Sequence, residues 1–479
     1  MKKTIVWLRR DLRIHDNPAL WEASEQGIVI PVFIWSKEDE QMSLSSYASK
    51  WWLHHSLLSL QKKLYRMGLS LTIRQGDSLD ELTTIIEETR ANAVFFNESY
   101  DSSILTRDEM IRERLNSDGV EVETFNSHLL FPPGILLNKK NEPYKVFTSF
   151  WKNTMHESVI QPKPTPVEFS TLNQFLPTLA IEDLKLLPSV NWDEKLVEHW
   201  VPGEDGAIKR WQQFSEEGMS KYLEGRDIPS FDDVSLLSPH LACGDISVRS
   251  IWFSSKMLLE SDSVSYMHSS VEAFMRQLIW REFAYHQWIH FPEIVHTPLR
   301  EKFEDFPWRD TDEMFTFWKK GLTGYPLVDA GMRQLWETGA IHNRVRMVVA
   351  SFLVKHLLIS WQEGSDWFKE TLVDFDVANN AMGWQWVAGS GIDSAPYFRI
   401  FNPILQSQKF DGEGVYLRKW LPELAKLPTK YIHTPWEAPI DVLQKAEIEL
   451  GKTYPFPIID HSFARKRALE AFATVKTNI

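Results

Sequence analysis

Short apolar segments alternate with longer segments of helical periodicity over the first 125 residues of the chain. Five short segments have the character of buried strands: Thr4–Leu8, Ile28–Trp35, Leu69–Arg74, Ala93–Phe96 and Val120–Phe125. The helix-like segments between them include Trp51–Met67, Leu79–Arg90 and Ile104–Leu115. Strands that alternate with helices pair in parallel, so the pattern predicts an α/β domain with a doubly wound, Rossmann-like sheet of five parallel strands. No G-x-G-x-x-G follows the first strand, which argues against the usual dinucleotide site.

The alternation ends at Pro132-Pro133-Gly134, a sequence typical of a turn. Scattered prolines and weak periodicity follow as far as about residue 200, which indicates a connector. Beyond it, apolar residues recur at helical spacing in five segments: Val271–Phe291, Met314–Lys320, Leu327–Thr338, Asn343–Ser360 and Trp367–Thr371. We therefore predict an α/β domain over 1–131, an inter-domain linker over 132–200 and an all-α domain over 201–479.

Charge and cysteine content narrow the class of protein. The formal net charge of −13 does not favour nucleic acid as a partner, although a local basic face is enough to bind phosphates. The single cysteine, Cys243, excludes an internal disulfide, an iron–sulfur cluster and a Cys-rich zinc site. Arg9, Arg10 and Asp11 interrupt the apolar run after Lys3, so we expect no secretory signal and a cytoplasmic protein. Nothing in the sequence demands more than a monomer.

Tryptophan is several times more frequent than usual, with 21 residues. Most of them suit the core of an aromatic-rich helical domain, but some lie on polar helix faces, where base stacking or electron transfer would use them. Gln277, Trp280 and Arg281 fall at i, i+3 and i+4, and Asn343 and Met347 are also one turn apart. With the arginines around them, these residues indicate a surface that grips a nucleic-acid backbone and stacks on its bases.

The segment from Asp374 to Trp386 combines polar and aromatic residues. On a helix, Trp384 and Trp386 would point in different directions, one into a core and one towards a cavity. Asp374 and Asp376 could pair on a metal, cap a helix or contact a cofactor. No third hard ligand is evident, and no metal site is predicted.

At this point the residues match a known family. The chain resembles the photolyase/cryptochrome flavoproteins and, within them, the bacterial cyclobutane pyrimidine dimer photolyases. The matching motifs follow the family's order: Trp7–Leu20, Tyr222–Pro229, Ser235–Leu241, Gln277–Phe283, Gly324–Arg333, His342–Met347, Asp374–Trp386 and Tyr397–Pro403. Only the connector and the last forty residues lack strong markers.

The resemblance implies an N-terminal α/β domain, a long linker and a helical domain that binds FAD without a covalent bond. Carried over by position, Tyr222, Ser235, Leu236, Leu237 and Ser238 would hold its phosphates. Phe274 would lie on the adenine side, where the family usually has tryptophan. Contacts to the isoalloxazine and ribose would come from Arg281, Asn343, Arg346, Asp374 and Asp376. Asn380 would lie at flavin N5, where a neutral amide suits a flavin that rests as the reduced anion.

The resemblance also implies light-driven DNA repair, in which reduced FAD passes an electron to a lesion flipped out of the duplex. Trp384, Trp361 and Trp308 would carry electrons from the surface to oxidised flavin. Trp280 and Trp386 would form the walls of the lesion pocket, and Gln277, Asn343, Arg344 and Met347 its floor. Arg226, Arg399 and Gln406 would contact DNA outside the pocket.

Two positions bear on which lesion is repaired. Dimer-repairing members usually have glutamate where this chain has Gln277, and glutamine is commoner in the (6-4) photoproduct branch. That branch uses a histidine pair where this chain reads His342-Asn343. Asn343, Arg344 and Met347 favour the pyrimidine dimer, and we predict that lesion. The alternatives are a (6-4) photolyase, a cryptochrome photoreceptor, and a helical nucleic-acid-binding protein without redox chemistry.

A second, antenna chromophore is implied for some branches of the family. The folate-binding branch has an Asn-Glu pair where this chain reads Ser103-Ile104. The run Trp51-Trp52-Leu53-His54-His55 resembles a plant-cryptochrome-like branch in which folate is bound differently. Methenyltetrahydrofolate, a deazaflavin and no antenna therefore all stay open.

Overall fold

The computed structural model describes residues 1–37, 46–188, 193–310 and 312–476. These residues form two compact units, each built from segments that are distant in the chain. Unit 1 comprises Met1–Ser220, Ser235–Pro292 and Val373–Asp376. Unit 2 comprises Lys221–Val234, Glu293–Leu372 and Val377–Ile479. The functional division at residues 131 and 200 stays a prediction.

Unit 1 contains the parallel sheet. Its strands are β1 (Lys2–Leu8), β2 (Gly27–Trp35), β3 (Thr72–Gln75), β4 (Ala93–Asn97), β5 (Glu121–Phe125) and the two-residue β6 (Ser170–Thr171). All pairings are parallel; the main order is β3-β2-β1-β4-β5, and β6 pairs with β2. The prediction of a doubly wound parallel sheet is therefore confirmed. A two-residue strand has no detectable period, so β6 could not be predicted from the sequence.

The start of β2 depends on a close approach of two backbones. Gly27 pairs with Lys2 in the register of β1 and β2. Its φ is +152°, and a Cβ there would lie 2.3 Å from the carbonyl oxygen of Lys2. Glycine is therefore required at this position. The helix Pro18–Gln26, which precedes β2, is capped by Asn17, whose side chain accepts a hydrogen bond from the Leu20 N–H. The neighbouring strand β1 is buried from Thr4 to Leu8.

Helices cover both faces of a parallel sheet of this kind, and its central strands are therefore almost entirely apolar. The main core cluster of unit 1 includes Trp7 of β1, Val32 and Ile34 of β2, and Phe96 of β4, all buried. The α-helices of unit 1 are Pro18–Gln26, Tyr47–Arg66, Ser78–Thr89, Ser102–Ser117, Phe147–Thr154, Glu194–His199, Glu204–Gln213, Ser238–Cys243, Val248–Glu260 and His268–His290.

In the described residues of unit 2 the elements are helices, with one isolated β-bridge between Leu450 and Tyr454. Its α-helices are Tyr222–Gly225, Asp312–Lys320, Pro326–Thr338, Asn343–Ser351, Trp361–Thr371, Val377–Ala388, Pro403–Phe410, Val415–Trp420, Thr429–Ile432, Ile440–Lys445 and His461–Lys476. The helix expected over Asn343–Ser360 is shorter than predicted. It widens into a π-helical turn at Phe352–Leu357 and ends where Leu358 adopts a left-handed conformation with φ +58°. Periodicity alone cannot detect such a change of helix type.

None of the helices described here combines the length and the apolar character needed to cross a lipid bilayer.

Candidate active site

One long helix of unit 1, His268–His290, carries three of the predicted site residues. Gln277, Trp280 and Arg281 keep the i, i+3, i+4 spacing on it. Trp280 stacks on Phe147, with ring centroids 3.4 Å apart and planes at 4°. The side chain of Gln277 donates from Nε2 to the carbonyl oxygen of Ala273, one turn earlier, at 3.2 Å. Trp280 is therefore held in orientation by an aromatic partner, whereas Gln277 is held only by its own helix.

Arg281 belongs to a buried polar network. Its guanidinium donates to the carbonyl oxygen of His128 at 2.8 Å, and its Nη2 lies 2.6 Å from His128 Nε2. The same His128 nitrogen lies 2.6 Å from the hydroxyl of Tyr285, which donates to the carboxylate of Asp376. Burial, then the charge of Arg281, lowers the pKa of His128 well below its ordinary value. Burial, then the charge of Asp376, raises the pKa of the Tyr285 hydroxyl. Asp376 thus accepts from a protonated phenol, and the neutral His128 contacts the same hydroxyl.

The turn before the short helix Ser238–Cys243 has the geometry of an anion site. Leu236 is left-handed, with φ +51°, and Leu237 follows at φ −89° and ψ −7°. Successive residues of opposite hand point their backbone N–H groups into one concavity, which suits a phosphate. The Ser238 hydroxyl donates to Asp374 at 2.7 Å, and Arg210 Nε donates to the Ser235 carbonyl oxygen at 2.8 Å. Both side-chain donors are engaged by protein acceptors, so the contact of this turn with the diphosphate of FAD stays a prediction.

Phe274 lies in an aromatic group of unit 1. Its ring centroid is 5.7 Å from that of Trp211 and 5.0 Å from that of Phe214, and it is buried. Phenylalanine therefore fills this position as part of a packed cluster.

The helix Val377–Ala388 of unit 2 carries Asn380, Trp384 and Trp386. Asn380 donates from Nδ2 to the Ser365 hydroxyl at 2.9 Å, which fixes the amide's orientation. Trp384 is buried, and Trp386 is half-buried. The two rings therefore differ in burial, and the expectation that Trp386 faces a cavity stays a prediction.

Gly364 allows the close approach of Trp384. A Cβ at Gly364 would lie 2.1 Å from Cη2 of the Trp384 ring and 2.6 Å from Cδ2 of Leu353. Around the rest of the ring, the centroids of Phe368 and Trp318 are 4.9 and 6.4 Å away. The position of Trp384 is therefore determined by packing on several sides.

The two other tryptophans proposed for electron transfer also lie in unit 2. Trp361 begins the helix Trp361–Thr371 and is buried. Trp308 is half-buried, with its ring centroid 4.4 Å from that of Phe306. One donor candidate is thus enclosed and the other reaches solvent, but their role in electron transfer stays a prediction.

The helix Asn343–Ser351 places Asn343 and Met347 one turn apart, with Asn343 Nδ2 4.0 Å from Met347 Sδ. The Arg346 guanidinium donates to the Ile341 carbonyl oxygen at 3.4 Å. In the preceding segment, the guanidinium of Arg226 lies 5.4 Å from the ring centroid of Tyr222. The side chains of Asn343, Arg346 and Arg226 thus each have a contact within unit 2.

Three residues predicted to contact DNA line one cleft of unit 2, which we call the Arg344 cleft. Its lining residues are Glu224, Asp227, Ile228, Arg344, Arg399, Phe401, Gln406, Lys409 and Phe410. Arg344 forms an ion pair with Asp227 at 2.9 Å, and its guanidinium lies 4.4 Å from the ring centroid of Phe410. Lys355 donates to the carbonyl oxygen of Arg399 at 2.8 Å, and burial lowers the pKa of this lysine to about 7. The structure therefore brings Arg344, Arg399 and Gln406 together.

Several contributing residues were missed from the sequence. Tyr285 stands one turn after Arg281 on the same helix, so its spacing was a usable signal. Asp227 stands within the motif Tyr222–Pro229, directly after Arg226, so that motif was a usable signal. His128 lies outside any of the motifs and outside any periodic pattern. In the described part of the chain, no three His, Cys, Asp or Glu side chains converge as a metal site would require.

Comparison with known proteins identifies the family. A DNA photolyase family model matches residues 4–168, and a model of the FAD binding domain of DNA photolyase matches residues 274–474. A deoxyribodipyrimidine photo-lyase of Agrobacterium fabrum is 46% identical over 98% of this chain and 98% of its own. Cryptochrome-2 of Arabidopsis thaliana is 39% identical over 99% of this chain and 79% of its own length.

A solved structure agrees with these matches. The crystal structure of a bacterial class III photolyase from Agrobacterium tumefaciens has a TM-score of 0.95 at 45% identity, and covers 100% of this chain and 98% of that chain. The chain therefore belongs to the photolyase/cryptochrome family, and it contains that family's FAD-binding domain.

Proposed function

We propose that this protein is a deoxyribodipyrimidine photo-lyase, a carbon–carbon lyase that repairs cyclobutane pyrimidine dimers in UV-damaged DNA under light. The helix Val377–Ala388 carries the proposal, because it holds a buried tryptophan, Trp384, one turn from the oriented amide of Asn380. That pairing suits electron delivery beside a reduced cofactor. The relatives called photo-lyases, at 34–46% identity, support the same function.

FAD is the proposed working cofactor. When bound and reduced, it supplies the excited electron that opens the cyclobutane ring. In unit 1, the proposed contacts come from Ser235, Leu236, Leu237, Ser238, Phe274, Arg281, Asp374 and Asp376. In unit 2, they come from Tyr222, Asn343, Arg346 and Asn380. The Tyr285 phenol, which also contacts the neutral His128, holds Asp376 in position, and Ser365 orients Asn380.

The chain's other task is to hold the lesion and the DNA around it. We propose that Trp280 and Gln277 of unit 1, and Asn343, Arg344, Met347 and Trp386 of unit 2, contact the lesion. A damaged pair is already poorly stacked, which lowers the few kcal/mol that flipping costs. Arg226, Arg399 and Gln406 would grip the backbone outside the pocket. Trp384, Trp361 and Trp308 would return oxidised protein to the reduced state.

To test which lesion the protein repairs, purified, reduced protein is illuminated with two oligonucleotides, one carrying a pyrimidine dimer and one a (6-4) product. Restored bases are counted against a dark control. Restoration of the dimer alone supports the proposal. Restoration of the (6-4) product supports the alternative that the protein is a (6-4) photolyase, which Gln277 favours. A protein that binds FAD but restores neither lesion under light would instead be a cryptochrome-type photoreceptor.

A second chromophore would have a suitable place in unit 1. A cavity lies against Phe33, Trp35, Tyr100 and Trp288, with Arg9 and Asn97 as polar neighbours. Aromatic walls with a few polar groups suit a planar ring system. We propose this cavity for a folate or deazaflavin antenna, if one is bound. A solved archaeal photolyase from Sulfolobus tokodaii, 28% identical with a TM-score of 0.82, is described as having two FAD molecules. Chromatography of the chromophores released by denaturation would test the assignment.

We also propose that the protein acts in the cytoplasm as a monomer, without a metal. The functional division into residues 1–131, 132–200 and 201–479 is part of the same proposal. Sedimentation of the FAD-loaded protein would test the monomer directly.

A further inference from the structure

The Arg344 cleft carries negative as well as positive charge. Arg344, Arg399 and Lys409 line it, but so do the carboxylates of Glu224 and Asp227. A surface that grips the DNA backbone gains affinity from cations, because each neutralised phosphate releases counterions. The two carboxylates oppose that general affinity. They have no part in the electron transfer or in the cofactor contacts proposed above.

Asp227 acts directly on one of the cations. Its Oδ1 lies 2.9 Å from Nη2 of Arg344, and the guanidinium also lies 4.4 Å from the ring centroid of Phe410. The exposed fractions are 38% for Asp227 and 19% for Arg344, so the pair remains accessible from the cleft. Arg344 is thus already engaged by two partners in the protein without DNA.

The neighbouring histidine does not compensate the carboxylate. Burial lowers the pKa of His342 to about 4, against the opposing effect of Asp227. At neutral pH His342 is therefore uncharged. A phosphate that approaches Arg344 meets the carboxylate of Asp227 with no additional positive charge from His342.

We propose that Asp227, assisted by Glu224, is a specificity-determining residue that lowers the protein's affinity for undamaged DNA. Asp227 occupies Arg344 and repels phosphates of an intact backbone. In damaged DNA Arg344 contacts the flipped-out lesion, as proposed above, and not an intact backbone phosphate, so the repulsion by Asp227 weakens binding less there. Discrimination by a built-in repulsive group is a general route to specificity. The inference rests on the proposed repair function and adds how damaged DNA is distinguished from intact DNA.

The test compares the wild type with Asp227→Asn and with a matched control, Glu423→Gln. Glu423 pairs with Arg333 at 2.7 Å, with exposed fractions of 21% and 27%, and does not line the cleft. Both substitutions remove one negative charge from a partly buried arginine pair. FAD-loaded proteins are titrated in the dark with two duplexes of one sequence, intact or carrying a single thymine dimer, at several salt concentrations.

Asp227→Asn should bind the intact duplex about two- to fivefold more tightly, the range expected for one accessible charge pair. Its salt dependence on that duplex should steepen by about one phosphate contact, a slope change of about 0.9. Affinity for the dimer-containing duplex should rise less, so the ratio of the two affinities falls. Glu423→Gln should leave the ratio unchanged.

Three results would overturn the inference. Weaker binding of the damaged duplex with intact binding unchanged would mean that Asp227 only positions Arg344. An equal gain on both duplexes would mean that it does not discriminate. The same fall of the ratio in Glu423→Gln would mean that net charge alone is responsible.

A second variant keeps the inference falsifiable if Asp227→Asn does not fold, as judged by thermal unfolding and flavin absorbance. Glu224→Gln removes the exposed carboxylate of the same cleft and should lower the ratio in the same direction. An unchanged ratio in that variant would then overturn the inference. A wild-type protein that does not prefer the dimer-containing duplex would contradict the proposed function itself, which separates the two failures.

Discussion

Replacing Gly364 with alanine should displace the Trp384 ring, and this should lower both the stability of the protein and the rate of electron transfer from Trp384. The new Cβ would lie 2.1 Å from Cη2 and 2.6 Å from Cζ3 of the indole ring, and 2.6 Å from Leu353 Cδ2. Comfortable carbon–carbon contacts are about 3.5–4.0 Å, so the ring or its helix must retreat by more than about 1 Å. Overpacking of this kind costs about 1–3 kcal/mol of unfolding free energy. The displaced tryptophan should also donate electrons more slowly.

The same helix as Trp384 offers a matched control. Gly383 lies in Val377–Ala388, and a Cβ there would meet no atom within 4 Å beyond its chain neighbours and the backbone of its own helix. Gly383→Ala should therefore raise stability by about 0.4–1 kcal/mol, because it only restricts the unfolded chain. Urea unfolding of both variants measures stability, and blue-light reduction of FAD in Gly364→Ala measures electron delivery. A Gly364→Ala protein as stable as Gly383→Ala would refute the packing argument.

Three further outcomes are expected. Trp308→Phe should block photoreduction yet leave repair by chemically reduced protein intact, and normal photoreduction would remove Trp308 from the pathway. Burial raises the pKa of Glu282 from 4.5 to about 7, so its ionisation costs the folded state stability as pH rises through that window. Glu282→Gln keeps an acceptor for the Leu130 N–H, so its stability relative to wild type should rise by about 1–3 kcal/mol between pH 5 and pH 8, as urea unfolding at both values would show. Tyr285→Phe removes a donor from buried Asp376 and should cost about 1–3 kcal/mol, and unchanged unfolding would contradict this.

Much of the fold follows from pattern. The five main strands lie within a few residues of their predicted positions. For the central strands β2, β1 and β4 the reason is that a sheet buried on both faces needs continuous apolar segments. The two-residue β6 and the π-helical turn at Phe352–Leu357 could not be predicted, since neither has a period of its own. The sequence also could not show which distant segments of the chain belong to the same unit, because tertiary contacts decide where distant segments pack.

The candidate site divides in the same way. Helical spacing predicted that Gln277, Trp280 and Arg281 share one helix. The resemblance to the family named Arg344, Arg399 and Gln406, and the structure brings these three to one cleft. Partners that other segments of the chain supply could not be predicted from the sequence. His128 meets Arg281, and Asp227 meets Arg344, only after the chain has folded. The sequence therefore predicts which side chains act, while the structure adds the groups that orient and restrain them.

Repair by this protein is expected to need both light and a reduced flavin, and a single-turnover flash experiment tests that requirement. Protein in excess over an oligonucleotide with one thymine dimer is prepared with its FAD either reduced or oxidised, and restored thymines are counted after each flash and in darkness. We predict restoration only for the reduced protein, and only after a flash. Restoration in darkness, or none after saturating flashes of reduced protein, would contradict the account.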